Sequence, residues 1–154
     1  MNDPKYALAI VTTPQEWEEY HRIRRQELFE AKGRIGIYDS HRPEERAPDN
    51  YPLLLKIHGQ GMGTTRLDMR PDGTAVIRLV AISKIGQGAG HGRVLVNMVE
   101  DFARQKGVKK FLVNADPNAA GYYEKLGFAR EDWDPSELVG ISSNSIQMSK
   151  MLKD

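Results

Sequence analysis

Glycine stands at every second position from Gly86 to Gly92, between an apolar, β-branched run and an amphipathic one. The run before it, Thr74 to Ile82, suits a strand. The run after it places Val94, Leu95, Met98, Val99 and Phe102 on one side of a helix that Gly107 would stop. Val108 to Ala115 then reads as a strand again. Two strands separated by a helix lie parallel, so this junction requires a parallel pair somewhere in the sheet. It also sets what the loop suits. The first N–H groups of a helix lack intrahelical partners, and the aligned peptide dipoles put about half a positive charge there. Residues without Cβ let those amides approach an oxygen closely. An anion, above all a phosphate, is the expected occupant, and a tight structural turn is the alternative. Arg93 in the first turn is costly beside a helix's positive end and becomes reasonable with phosphate present.

The rest of the pattern is antiparallel. Tyr6 to Val11 predicts a first strand. Thr13-Pro14 with Glu16 predicts a capping box and a helix to about Ala31, ended by Gly33, with Trp17, Tyr20, Arg24, Leu28 and Ala31 on one face. Residues 34–50 are polar, hold Pro43 and Pro48, and read as a loop with room for one helical turn. A loop of this length is more often functional than idle. Tyr51 to Gly59 and Thr64 to Met69 are strands two and three, and Pro71-Asp72-Gly73 turns the chain into strand four, Thr74 to Ile82. Pro117 to Leu126 reads as a short helix closed by Gly127. Phe128 to Glu131 and Ile141 to Met151 are late strands around a polar loop. The order β-α-β-β-β-α-β-α-β, with room for one more strand, predicts an α+β (mixed α/β) fold with a mostly antiparallel sheet. The 154 residues, without repeats, are expected to form a single domain, 1–154.

Composition excludes several chemistries. There is no cysteine, so no disulfide scaffold, thiol catalysis or Cys-bound zinc site, and no metal is expected. A net charge of +1 gives no strong field for nucleic acid. Lys106, Lys109 and Lys110 read as a solvated helix end and strand start. Met1-Asn2-Asp3-Pro4 lacks the basic and apolar regions of a signal peptide, and no apolar run approaches the ~20 residues that cross a bilayer. A cytoplasmic location without a membrane partner is the expectation.

Spacing then narrows the phosphate's owner. A dinucleotide fingerprint needs glycine five positions after its first; from Gly88 that position is Arg93, and from Gly86 it is His91. A P-loop needs a following Gly-Lys-Ser/Thr, which is absent. What remains, Gln87-Gly88-Ala89-Gly90-His91-Gly92, matches Q/R-x-x-G-x-G/A. Downstream, Ala119-Ala120-Gly121-Tyr122-Tyr123-Glu124-Lys125-Leu126-Gly127-Phe128 matches A-x-x-[aromatic or Leu]-Y-E-K-L-G-F. By these two motifs, and by Val80-Ala81-Ile82 before them, the chain resembles the GCN5-related N-acetyltransferase (GNAT) superfamily from about Arg78 to Phe128.

The resemblance implies a central twisted sheet in which parallel strands four and five splay apart. It implies acetyl-CoA as cosubstrate, its pyrophosphate on the backbone of Gln87, Gly88, Ala89, Gly90, His91, Gly92 and Arg93. The His91 side chain is expected to be a solvated loop residue. The pantothenate arm would pair with strand four at Val80 and Ile82, with Ala81 facing the other way, and an N–H there would polarise the thioester carbonyl. Tyr123 would protonate the leaving thiolate, while Tyr122 would pack. Many members carry Asn seven residues before that tyrosine. Here the position is Asp116, which also suits a cap for the helix at Pro117, and Asn114 and Asn118 flank it as substitutes. The implied reaction is direct acetyl transfer to a primary amine, on a small molecule or an exposed peptide or protein amine. A base is required, and Glu27, Glu30, His41, His58 and Asp68 are candidates. Tyr38, His41 and Arg78 are candidate acceptor contacts. The alternatives are a non-catalytic acyl-CoA sensor and a toxin-type transferase acting on charged tRNA. A homodimer stays open.

Overall fold

The computed structural model describes residues 5–153, so the reading of Met1-Asn2-Asp3-Pro4 lies outside the described residues. The first helix starts as its sequence dictates. Thr13 accepts from the Glu16 amide at 3.1 Å while Glu16 accepts from the Thr13 amide at 3.1 Å, a complete capping box ahead of α1 (Pro14–Arg24). Lys56 also donates to Glu16, which, with the Thr12 and Thr13 amides, holds its carboxyl down to about 2. After Arg24 the helix widens into a π turn, Arg25–Phe29, and tightens into a 3-10 turn, Glu30–Lys32, before Gly33 ends it in the left-handed region. One added residue per turn rotates the downstream residues by about 100° relative to an unbroken α-helix. Leu28 and Phe29 thereby reach the central cleft.

Among the described residues, seven strands form one sheet in the order β1-β2-β3-β4-β5-β7-β6. They are β1 (Tyr6–Ile10), β2 (Asn50–Ile57), β3 (Gln60–Met69), β4 (Thr74–Ile82), β5 (Lys110–Ala115), β6 (Ala129–Arg130) and β7 (Ile146–Met151). Every pairing is antiparallel except β4 with β5, the pair on either side of α2 (His91–Gln105). The mixed α/β fold with a mostly antiparallel sheet is thus as expected.

Strand alternation puts two cores on the two faces. Leu53, Leu55, Ala75, Ile77 and Phe111 pack with Leu95, Val99 and Ala103 of α2 and with Tyr123 of α3 (Ala120–Lys125). Leu54 and Ala81 face the other way, onto Tyr20 and Ile23 of α1.

Several strand boundaries differ from the sequence expectation, three of them instructively. Strand two ends at Ile57, because His58 and Gly59 both take positive φ, 50° and 80°, and form a two-residue hairpin turn. Strand three therefore begins at Gln60 and includes Gly61 and Gly63. A Cβ on Gly61 would lie 2.4 Å from Glu19 Oε2, and one on Gly63 2.8 Å from Ile82 Cδ1, so neighbouring side chains fill the space a strand residue would use. The last strand begins at Ile146, since residues 140–142 form a 3-10 turn with Ile141 exposed.

Candidate functional site

The parallel pair supplies the cleft. β4 and β5 are in register only from Thr74–Lys110 to Ile77–Val113, and beyond that point they part. β4 also carries an extra residue there. Arg78 pairs with Arg66 and Ala81 with Thr64, so Leu79 and Val80 together stand opposite Thr65. Leu79 takes the left-handed conformation, φ 56°, a strained choice for a branched side chain. The bulge switches faces: Ile77 packs with α2, whereas Ala81, two pairs on, packs with α1. Val80 and Ile82 thus face the α2 side opposite to Ala81, as the resemblance implies. A cavity of about 630 Å³ opens at the splay, its walls including Leu79, Val80, Asn114, Asp116 and Tyr123.

The glycine loop lies past the end of β4 and outside these cavity walls. Its glycines do two jobs. Gly88 and Gly90 adopt φ of 83° and 82°, with open space where a Cβ would point. Gly86 and Gly92 instead admit neighbours, since a Cβ would meet Met62 Sδ at 2.7 Å and Tyr122 Oη at 2.7 Å respectively. Gly90 is the N-cap of α2 and offers no side-chain cap, and the first turn holds Arg93 but no acidic residue. Uncapped amides, an open approach and a cation in the first turn fit a phosphate group.

Two side chains tie this loop down. Gln87 Nε2 donates to Ile82 O at 2.9 Å and to Glu27 Oε1 at 3.0 Å, and the Lys84 amide donates to Glu27 Oε2 at 2.9 Å. Glu27, a candidate base, is therefore engaged in holding the loop from the π turn. His91 corrects an expectation: rather than a solvated residue, it is half-buried, with Nδ1 3.0 Å from the Tyr6 hydroxyl. The ring anchors the start of α2 to β1.

Tyr123 is 7% exposed, packed edge-on against Tyr122 and Phe128. Burial, reinforced by Tyr122, pushes its phenol up to about 12, so it stays protonated at neutral pH. Asp116 accepts from the Asn118 amide at 2.9 Å and caps the turn at Pro117. Asn114 lines the cavity, but its side chain is bonded to Glu137 at 3.0 Å and Gln147 at 2.9 Å. Asn118 is exposed and is not in the cavity wall.

A chain of charges borders the same cavity, with Arg24, Glu45, Arg66 and Arg78 in its wall. Arg24 bonds Glu45, which accepts from Arg66 at 3.2 Å; Arg66 grips Asp68 with Nε and Nη2 at 2.6 and 2.8 Å. Arg78 bonds Asp68 at 2.6 Å and takes Glu137 in a two-point contact at 2.9 and 3.0 Å. Burial alone would raise the Glu45 carboxyl, but Arg24 and Arg66 outweigh it and hold it below the ordinary range. Arg78 and Asn114 do the same for Glu137. These carboxylates are poor bases, and Asp68, locked between two guanidiniums, is no freer. Of the candidate acceptor contacts, Tyr38 and Arg78 line the cavity, whereas His41 does not; its side chain is 94% exposed. Glu30 pairs loosely with Arg25 at 3.5 Å, and His58 lies in the β2–β3 turn; neither lines the cavity.

Sequence reasoning missed Arg24, Glu45, Arg66 and Glu137; the pairs Arg24–Glu45, Arg66–Glu45 and Arg78–Glu137 join residues 21 to 59 positions apart. Only the length of the 34–50 loop hinted at them, because its helical turn, Pro43–Arg46, delivers Glu45.

Comparison with known proteins bears on this arrangement. The uncharacterised protein YyaT of Bacillus subtilis (strain 168) is 26% identical over 119 residues, covering 77% of this chain and 79% of its own. The acetyltransferase of the GNAT family from Staphylococcus aureus MU50 superposes with a TM-score of 0.75 at 14% identity, over 96% of this chain and 99% of that one. The N-acetylglutamate synthase of Neisseria gonorrhoeae, solved with coenzyme A and N-acetyl-glutamate, superposes with a TM-score of 0.71 at 18% identity, over 97% of this chain and 35% of that one. Among the described residues, no helix is long and apolar enough to cross a membrane. Residues 14–128 match the sequence profile of the acetyltransferase (GNAT) family, and the chain belongs to that family.

Proposed function

We propose that this protein moves an acetyl group from acetyl-CoA directly to a primary amine while both are bound. The observation that carries the reading is the parting of β4 and β5 beyond Ile77 and Val113, with Tyr123 in the wall of the resulting cavity. The exposed edge of β4 suits the amide-rich pantothenate arm, which can pair as an added strand. The uncapped start of α2 suits the pyrophosphate, held by the backbone of Gln87 to Arg93. Val80 and Ile82 act through their backbones, although the Ile82 carbonyl already accepts from Gln87.

The neutral amine attacks the thioester carbonyl carbon. An N–H of β4 near the bulge stabilises the developing oxyanion. As the C–S bond breaks, the Tyr123 hydroxyl gives its proton to sulfur, and the phenolate regains one from solvent. The proton lost by the amine leaves through water, because the buried carboxylates are engaged by arginines. With no cysteine in the chain, an acetyl-cysteine intermediate has no place in this scheme.

The test is thiol release from acetyl-CoA over a panel of amines, with the acetylated product identified by mass. Acceptor-dependent thiol with a matching N-acetyl product is expected. Saturable CoA binding without such release would replace the transferase by the acyl-CoA sensor.

A further inference from the structure

We propose that the amine acceptor carries a carboxylate, and that the buried, unpartnered Nε of Arg24, a residue in the cavity wall, receives it. This rests on the transferase reading and names its substrate class. It is grounded in the donors and acceptors of the charged wall. Glu45 Oε1 accepts from the Tyr20 hydroxyl at 3.0 Å and from Arg66, and Oε2 accepts from Arg24. Asp68 is filled by Arg66 and Arg78, and Glu137 by Arg78 and Asn114. Every carboxylate oxygen in that group already has a donor. An acceptor's ammonium would have to share an oxygen that an arginine already holds.

The arginines are not equally filled. Arg66 and Arg78 each engage Nε, Nη1 and Nη2. Arg24 bonds the Tyr20 hydroxyl and Glu45 through Nη1, while its Nε is buried without a partner. This residue is 2% exposed and forms part of the cavity wall. A buried charged donor without an acceptor is a costly defect that a ligand can relieve. Nε is one prong of the side-on fork with which a guanidinium grips a carboxylate. Arg66 shows that fork filled, with Nε and Nη2 on Asp68. In Arg24 that Nε is unfilled, because Glu45 is held through Nη1 alone.

The rim describes the remainder of the acceptor. Ile37, Val139 and Ile141 line the same cavity yet are 61%, 68% and 59% exposed. They come from the two loops that flank the cleft and suit an apolar body between them. An amino acid with an aliphatic or aromatic side chain satisfies both features.

Matched pairs test this: L-leucine against 3-methylbutylamine, and L-phenylalanine against 2-phenylethylamine. Binding to the CoA-loaded protein is read by calorimetry, and thiol release with acetyl-CoA is read separately. The carboxylate member of each pair should bind at least about tenfold tighter, as a charge-assisted contact implies. Arg24→Lys, which keeps the charge but loses the fork, should reduce that preference to a few-fold. Equal binding within the pairs by the wild-type protein would overturn the proposal, whatever the variant does. Efficient thiol release by the simple amines alone would overturn it too while leaving the transferase reading intact. A carboxylate preference in binding with no thiol release from any acceptor would support the Arg24 site and sink the transferase.

Discussion

From Leu79 to Phe128, one side of the cleft and the loop beyond it come from a single stretch of chain. It consists largely of backbone: a bulged strand edge, a glycine loop, an uncapped helix start and one tyrosine. The charged network is built from side chains of four separate regions, Arg24, Glu45, the β3–β4 residues Arg66, Asp68 and Arg78, and Glu137, of which Arg24, Glu45, Arg66 and Arg78 line the cavity. A backbone site is specified locally and changes little when its side chains change. A side-chain network depends on every member, since a buried ion that loses its partner is left uncompensated. The first arrangement suits a ligand shared by many relatives, and the second suits one that differs among them.

The largest expected difference between the two walls is in stability. Arg66→Met leaves Glu45 and Asp68 short of a counter-ion and should cost about 3–5 kcal/mol in chemical denaturation. Gly90→Val, which forces a branched residue into the left-handed region, should cost only about 1–2 kcal/mol. Equal losses would erase the contrast. Next comes chemistry: Tyr123→Phe should lower turnover up to about a hundredfold and leave acetyl-CoA affinity nearly unchanged. Unaltered turnover across pH would remove Tyr123 as the acid. Because its phenol is pushed up to about 12, the wild-type rate should show no descending limb from this group below about pH 11.

Gly90→Val should weaken CoA binding about tenfold, read by calorimetry on the folded variant, and full-strength binding would refute the phosphate cradle. A smaller effect is expected from Glu27→Gln, which sets an amide donor against Gln87 or Lys84. CoA affinity should fall a few-fold, about 1 kcal/mol, with the charged wall untouched. The gentlest probe is acid. Glu45 and Glu137 have folded values below their unfolded ones, so the unfolded chain takes up protons first as pH falls. Stability from these pairs is fully present above about pH 4.3 and is lost on acidification through the lower folded values. Methyl-group NMR of Ile77 and Val113 should report the charged wall loosening before the glycine loop's neighbours.

Legibility in the sequence divides along the same line. The Thr13–Glu16 capping box, the Gly33 stop, the parallel β4–β5 pair and the Asp116 cap each depend on residues close in sequence or on periodicity. The left-handed Leu79 has no sequence signature, because leucine is a poor choice for that conformation and only the surrounding sheet enforces it. The hairpin at His58-Gly59 was concealed by glycines at Gly61 and Gly63, which read as loop but sit under Glu19 and Ile82 in a strand. The charged wall was invisible for a simpler reason: no spacing rule links Arg24 to Glu45 or Arg78 to Glu137. Its members could be named only as charged residues, not as partners.

Amide hydrogen exchange with and without CoA tests most directly whether the backbone wall is the donor site. Binding should slow exchange at amides of β4 between Leu79 and Ile82 and at the loop from Gln87 to Arg93, with little change around Glu45 and Glu137 until an amine is added. Protection confined to the charged wall, with the loop exchanging as before, would contradict the assignment.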